Sequence, residues 1–260
     1  AAGEAIPVDF VLEDAAGNES DSFTTAISQA SDAIDANSPT ISSVSIADTA
    51  MNVGDVVTVS ITANEAGLIL TSGSINGAAV TAFTDNSDGT YSAIYTVVEG
   101  HTDRAAGANI PVSFVLADAA GNTSDTFTTA INQASDAIDA NSPTISSVSI
   151  ADTAMNVGDV VTVSITASEA GLTLTSGSIN GAAVTAFTDN GAGNYSATYT
   201  VLEGHTDRAA DTTIPVSFVL ADTAGNVSDT FTTAISQASD AIDANSPTIS
   251  SVSIADTAMN

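Results

Sequence analysis

The stretch ASDAIDANSPTISSVSIADTAMN occurs unchanged at residues 30–52, 134–156 and 238–260, which fixes an internal period of 104 residues. Residues 38–141 and 142–245 are complete repeats that differ at 13 positions, whereas 1–37 matches only the end of a repeat and 246–260 only its beginning. Solenoid units of about 20–50 residues cannot bury a core alone. A unit twice that size can, so each repeat is expected to fold as its own bead on a string. Because Ala1 falls in mid-repeat, the sequence is expected to be a piece of a longer array.

Within a repeat, short runs of Val, Ile, Thr, Phe and Tyr alternate with clusters of Gly, Asn, Asp and Ser, a pattern of strands and turns. PTISSVSI is expected as the first strand. VVTVSITA, at 56–63, sets Val57, Val59 and Ile61 on one face and Thr58, Ser60 and Thr62 on the other, as a half-buried strand requires. GLILTSGSI and AAVTAF supply the third and fourth, and DNSDG turns the chain into YSAIYTVV. IPVSFVLAD and SDTFTTAI complete a set of seven. Seven strands in a unit of this size predict an all-β protein built of tandem immunoglobulin-like Greek-key β-sandwiches in an extended rod.

In that topology the loops collect at two poles. The leading pole of a repeat is expected to hold Pro39, Asn64, Glu65, Asp85, Asp88 and the loop from Asp118 to Asp125. The trailing pole is expected to hold Asp48, Asn52 and Asp55, the EGHTD loop from Glu99 to Asp103, and the exit segment with Asp136 and Asp139. Joined end to end, the trailing carboxylates of one repeat meet the leading carboxylates of the next.

Charge sharpens this. The chain carries 31 acidic side chains against Arg104 and Arg208, a formal net charge of −29. Such a surface repels phosphate, so nucleic acid is excluded as a partner. A purely solvated acidic tail would lack the patterned 43% of apolar residues. No cysteine is present, which rules out disulfides and thiolate metal sites. No signal peptide, bilayer-length apolar run or basic amphipathic helix is read, so no direct membrane insertion is expected, and no small-molecule substrate.

Two carboxylates about 6 Å apart repel by roughly 3 kcal/mol at an effective dielectric near 20. Several such pairs rival a domain's whole stability of about 5–15 kcal/mol, so a cation is expected between them. Calcium suits the ligand set, taking about six to eight oxygens from carboxylates, amides and carbonyls in loose geometry; magnesium ranks second. Several calcium ions per repeat are expected.

The strongest motif is D-x-A-G-N-x-S-D, with Asp14, Asn18 and Asp21 in the first copy, Asp118, Asn122 and Asp125 in the second, and Asp222, Asn226 and Asp229 in the third. Glu65 and Glu169 are expected to join it from the neighbouring loop. An ordinary polar loop that satisfies its own backbone is the competing reading. At the trailing pole the candidate ligands are Asp48, Glu99, Asp103, Asp136 and Asp139, their second-repeat equivalents Asp152, Glu203, Asp207, Asp240 and Asp243, and Asp32 and Asp35 ahead of the first repeat. There the competing reading is a solvated, charge-extended linker, against which Pro143 argues by stiffening the next strand.

Other motifs carry less. DNSDG becomes DNGAG in the next repeat, which favours a turn over a metal. His101 and His205 have no second His or Cys to complete a zinc site or a nucleophile pair. NTS and NVS match the glycosylation pattern but overlap the expected calcium loops. No catalytic motif is found, and duplicated sites without a polar pocket argue against an enzyme. Thr pairs in TFTT and TVSIT are too few and irregular for an ice-binding array.

Acidic poles, DAAGN loops, IDANSP junctions and the strict period together resemble the extender repeats of giant bacterial RTX adhesins, ice-binding ones among them. The similarity spans the whole chain. It implies a type I secreted, extracellular bacterial surface protein whose calcium-bound Ig-like domains form a long rod carrying an adhesive tip, with neighbouring repeats as partners. By that resemblance Asp118, Asn122, Asp139 and their equivalents are calcium ligands, and any ice recognition belongs to another region. The alternative is an adhesion module that binds a host or glycan ligand through its own loops.

Overall fold

Alternation of side chains across the pleat organises both complete repeats. The computed structural model describes residues 4–28, 34–132, 134, 137–236 and 241–254. Residues 4–28 carry β1 (Ala5–Ile6) and β2 (Ile27–Ser28). The first repeat contributes β3 (Ile41–Ser45), β4 (Met51–Asn52), β5 (Val56–Ala63), β6 (Ile69–Ile75), β7 (Ala78–Ala79) and β8 (Thr81–Asp85). It continues with β9 (Thr90–Thr96), β10 (Asn109–Ile110), β11 (Val112–Ala117), β12 (Ile131–Asn132) and β13 (Ile138–Asp139). The second repeat follows the same series: β14 (Ile145–Ile150), β15 (Met155–Asn156), β16 (Val160–Ala167), β17 (Thr173–Ile179), β18 (Ala182–Ala183) and β19 (Thr185–Gly191). Its remaining strands are β20 (Asn194–Thr200), β21 (Thr213–Ile214), β22 (Val216–Ala221), β23 (Ile235–Ser236) and β24 (Ile242–Asp243).

Two compact units share the chain. One comprises Ala1–Asp48, Val56–Thr96 and Ala108–Gln133, the other Thr49–Asp55, Val97–Gly107 and Ala134–Asn260. The first unit contains an antiparallel sheet of order β3-β5-β9-β8 and a second of order β11-β6-β7. Val57, Val59 and Ile61 are buried from β5, and Tyr91, Ala93 and Tyr95 from β9, while the intervening Thr and Ser face out or lie half-buried. From the other sheet, Ile75, Phe114 and Leu116 are fully buried. The second unit repeats this arrangement with β14-β16-β20-β19 and β18-β17-β22 around one core, in which Val163, Ile165, Tyr195 and Tyr199 meet Ile179, Phe218 and Leu220. Each such side chain contributes about 1.5–3 kcal/mol by leaving water. The result is an all-β, immunoglobulin-like sandwich.

Three details differ from the simple seven-strand reading. The fourth strand divides at Val80: β7 pairs with β6, whereas β8 pairs with β9 in the other sheet, and Ala82 adopts a left-handed φ of 49°. Pro111 has no N–H to donate and separates β10, which pairs with β12, from β11, which pairs with β6. The expected seventh strand, SDTFTTAI at 124–131, forms one isolated bridge at Phe127 and becomes regular strand only where Ile131 enters β12.

The exit segment is the largest difference. Ile138–Asp139 is a strand, parallel to Met51–Asn52, with Ile138 and Ala140 buried. Arg104 reinforces it, exchanging both backbone hydrogen bonds with Ile138 at 2.8 and 2.9 Å.

Candidate functional site

Three segments of the trailing end of the first repeat, Thr49–Asp55, Val97–Gly107 and the exit from Ala134 onward, belong to the second unit, whereas Asp48 belongs to the first. The positive φ of Gly100, 83°, allows the EGHTD turn, and His101 Nδ1 accepts from Val98 N at 3.1 Å inside it. That turn presents two carboxylates to the exit segment. Asp103 Oδ1 accepts from Ala140 N and from Asn141 Nδ2, each at 2.8 Å. Both oxygens of Glu99 accept from Ser142 N, at 3.0 and 3.1 Å. Asp55 Oδ2 accepts from Asn52 N at 2.9 Å, and Met51 N donates to Ala137 O at 3.0 Å. The three segments expected at the trailing pole are thus brought together. The second repeat builds the same pole, with Asp207 accepting from Ala244 N and Asn245 Nδ2 and Glu203 from Ser246 N.

Each D-x-A-G-N loop is organised around its first aspartate. Asp118 Oδ1 accepts from the amides of Ala120 and Asn122, both at 2.9 Å, and its Oδ2 accepts from Asn122 Nδ2 at 2.8 Å. Asp14 with Asn18, and Asp222 with Asn226, repeat the arrangement. The asparagine side-chain amides hold Asp14 and Asp118 below the usual carboxylate range. Asp21, Asp125 and Asp229 are exposed at the ends of these loops. Glu65 and Glu169 are fixed through their backbone carbonyls, which accept from the buried Tyr91 and Tyr195 hydroxyls at 2.8 Å. The same hydroxyls accept from Leu68 N and Leu172 N.

At the joint these groups face one another. Burial first, then repulsion by Asp222, Asp103 and Glu99, pushes the Asp139 carboxyl up. Burial and the charges of Asp222, Asp139 and Asp103 do the same to Glu169. Glu99 and Asp229 line one shallow cleft beside Pro143. In the first unit, Asp125 lines the corresponding cleft beside Pro39. Asp35 belongs to that unit as well: its carbonyl accepts from Asn122 Nδ2 at 3.3 Å and its Oδ1 from Asn37 N. Asp48 and Asp152 are exposed in the loops after β3 and β14, and Asp243 is exposed on β24. Asp32, Asp136 and Asp240 lie outside the described residues.

The carboxylates of the joint are within electrostatic reach but short of coordination. Among the described residues no three acidic or histidine side chains stand close enough to hold a metal ion. The donor chemistry, all carboxylate and amide oxygen, fits a hard cation such as calcium. One contact had no sequence signal: Val53 N donates to Asn226 Oδ1 at 2.8 Å, and a backbone N–H looks the same at every residue.

No family model and no curated protein matches the chain. Among solved structures it is similar to fibronectin(III)-like modules of CbhA from Clostridium thermocellum, at a TM-score of 0.30 and 14% identity, covering 78% of this chain and 95% of that one. It is similar to FdeC, an Escherichia coli adhesin, at a TM-score of 0.25 and 22% identity over 73% and 74% of the two chains. The D00–D0 domain of intimin gives a TM-score of 0.25 and 11% identity over 73% and 98%. Adhesin domains are therefore among its structural neighbours, and at these scores the likeness carries no argument about function. Among the described residues no helix is long and apolar enough to cross a membrane.

Proposed function

We propose that this chain is a run of non-catalytic structural spacers from an extracellular bacterial surface adhesin, each repeat of 104 residues being one bead. Calcium stiffens the joint between beads, and the array holds an adhesive tip, encoded elsewhere, away from the cell. The observation that carries this reading is the joint itself, where Asp139, Asp103 and Glu99 of one repeat oppose Glu169 and Asp222 of the next. Uncompensated, that arrangement costs stability at neutral pH; a divalent cation drawn between the carboxylates reverses the sign. Asp139, Glu169 and Asp222, which stand short of coordination as they are, are the groups proposed to draw in around the ion. Type I secretion into calcium-rich surroundings belongs to the same proposal, since an ion that binds only the folded cluster lets folding wait for export.

The test is calorimetry of the chain in excess calcium, in excess magnesium and in chelator. An ion present at a hundred times its dissociation constant stabilises by about 2.7 kcal/mol. For a repeat of this size that raises the melting midpoint by about 10 °C or more. A midpoint that calcium leaves where the chelator puts it would refute the proposal.

A further inference from the structure

The turns DTAMNVGD at 48–55 and 152–159 are identical in sequence and differ in what covers them. Around Val53, Asn52 N donates to Asp55 Oδ2, Gly54 N to Val97 O and Asp55 N to Asn52 O. Around Val157 the same three bonds recur through Asn156, Asp159 and Val201. The turns are equivalent, yet Asn52, Val53 and Asp55 are half-buried while Asn156, Val157 and Asp159 are exposed. What differs is the D-x-A-G-N loop of the second repeat, which sits on the first pole. Asn226 is 3% exposed, although its type belongs on surfaces. Its Oδ1 accepts from Val53 N at 2.8 Å, and its Nδ2 donates to Asp139 O at 3.3 Å and to Asp222 Oδ2 at 2.9 Å. A Cβ on Gly225 would stand 3.2 Å from Asn52 Nδ2, so the loop backbone itself lies close against the pole.

We propose that Asn226 is a metal-independent latch that sets the register of the joint, its side-chain amide bridging the Val53 N–H and the Asp139 carbonyl of the preceding repeat. By the same chemistry the trailing pole of the second repeat, with its Val157 N–H and Asp243 carbonyl, is a docking surface for the D-x-A-G-N loop of another repeat of this kind. Among the described residues nothing accepts from Val157 N. The latch deepens the spacer reading and rests on it for its purpose, but not for its test. The amide oxygen of Asn226 faces a backbone donor, so its role is separate from that of the carboxylates around it. Reading an asparagine in an acidic loop only as a cation ligand overlooks the donor half of the amide, which is what a carbonyl across the joint requires.

Amide-resolved hydrogen exchange on the whole chain tests this, in chelator and in calcium. The Val53 amide is expected to exchange about tenfold more slowly than the Val157 amide under both conditions, the factor that one net hydrogen bond supplies. Asn226→Ala should bring Val53 to the Val157 rate while leaving the amides of β16 protected. Asn122→Ala, which opens the equivalent loop of the first repeat, should leave Val53 protected. Equal rates in the unaltered chain would overturn the latch even if Asn226→Ala failed to fold. Protection that survives Asn226→Ala, or that exists only with calcium, would also overturn it. The calorimetric response to calcium is read independently, so either idea can fail alone.

Discussion

Tyr195 and Tyr199 stand four residues apart on β20, each 1% exposed or less, and removing one oxygen from each is expected to have opposite effects. The Tyr195 hydroxyl accepts from Leu172 N at 3.0 Å and donates to the Glu169 carbonyl at 2.8 Å, and its ring stacks on Phe187 with centroids 5.2 Å apart. Tyr195→Phe keeps the stack and strands a buried N–H beside Leu172 together with a partly buried carbonyl. Those losses amount to about 2 kcal/mol. For a repeat of this size that lowers the melting midpoint by roughly 8–16 °C. The Tyr199 hydroxyl has no partner of hydrogen-bonding geometry among the described residues. Asn180 lies beside it, but its Nδ2 donates to Thr206 O and its Oδ1 accepts from Arg208 Nε. Tyr199→Phe therefore removes a desolvated polar group, and is expected to be neutral or to stabilise by up to about 1 kcal/mol. Because Tyr195 anchors the loop that carries Glu169, Tyr195→Phe should also shrink the rise in midpoint that calcium produces. Calorimetry of both variants in chelator and in calcium decides the matter. Equal midpoints for the two would refute the hydrogen-bond assignment on which the loop argument rests.

Acid should act on the joint in the direction set by its raised carboxyls. A carboxyl whose folded pKa is raised weakens the fold above that pKa, and the penalty is relieved as pH falls through it toward the ordinary values of 3.8 for Asp139 and 4.5 for Glu169. Melts in chelator should therefore shift upward as the pH falls from 7 toward those ordinary values, whereas in calcium the same change displaces the ion and shifts them downward. The lowered carboxyls Asp14 and Asp118 contribute stability that is lost only below 3.8, so they do not mask this window. Asp139→Asn with Glu169→Gln should raise the midpoint in chelator and abolish the calcium response; a double variant that melts lower in chelator contradicts the repulsion argument. Gly177→Ala would place a Cβ 2.8 Å from Phe218 Cε1 and 2.9 Å from Val184 Cγ2. It is expected to cost about 1–3 kcal/mol in urea unfolding, as is Gly73→Ala against Phe114 and Val80.

Much of the fold was legible locally. The run VVTVSITA appears as β5 over the expected residues, because alternation of Val with Thr leaves one face for a core and fixes the register. Local pattern could not show the change of sheet at Val80, since an alternating run reads alike whichever sheet receives its second half. The pairing of Ile138–Asp139 with Met51–Asn52 was hidden for a related reason: a two-residue strand beside charged neighbours looks like a linker until its partner is in place. Of the site, the residue types and their gathering at the trailing pole followed from loop order, whereas the bond from Val53 to Asn226 required the two repeats to be packed.

The repeated segments separate these contributions. Phe10, Phe114 and Phe218 occupy one position of the same hairpin, each bridged to the phenylalanine thirteen residues on, and each hairpin closes around the same aspartate-centred loop. That much is decided by short-range hydrogen bonding and turn residues, which every copy carries. Phe114 and Phe218 are nevertheless fully buried while Phe10 is 60% exposed, because only the complete repeats set a second sheet against the hairpin. Asp139 and Asp243 make the same point at the poles: one identical stretch leaves the first half-buried under the following loop and the second in water. Sequence by itself determined the hairpins, the strands and the inventory of oxygens; tertiary structure decided which are desolvated, since burial depends on what arrives from elsewhere in the chain.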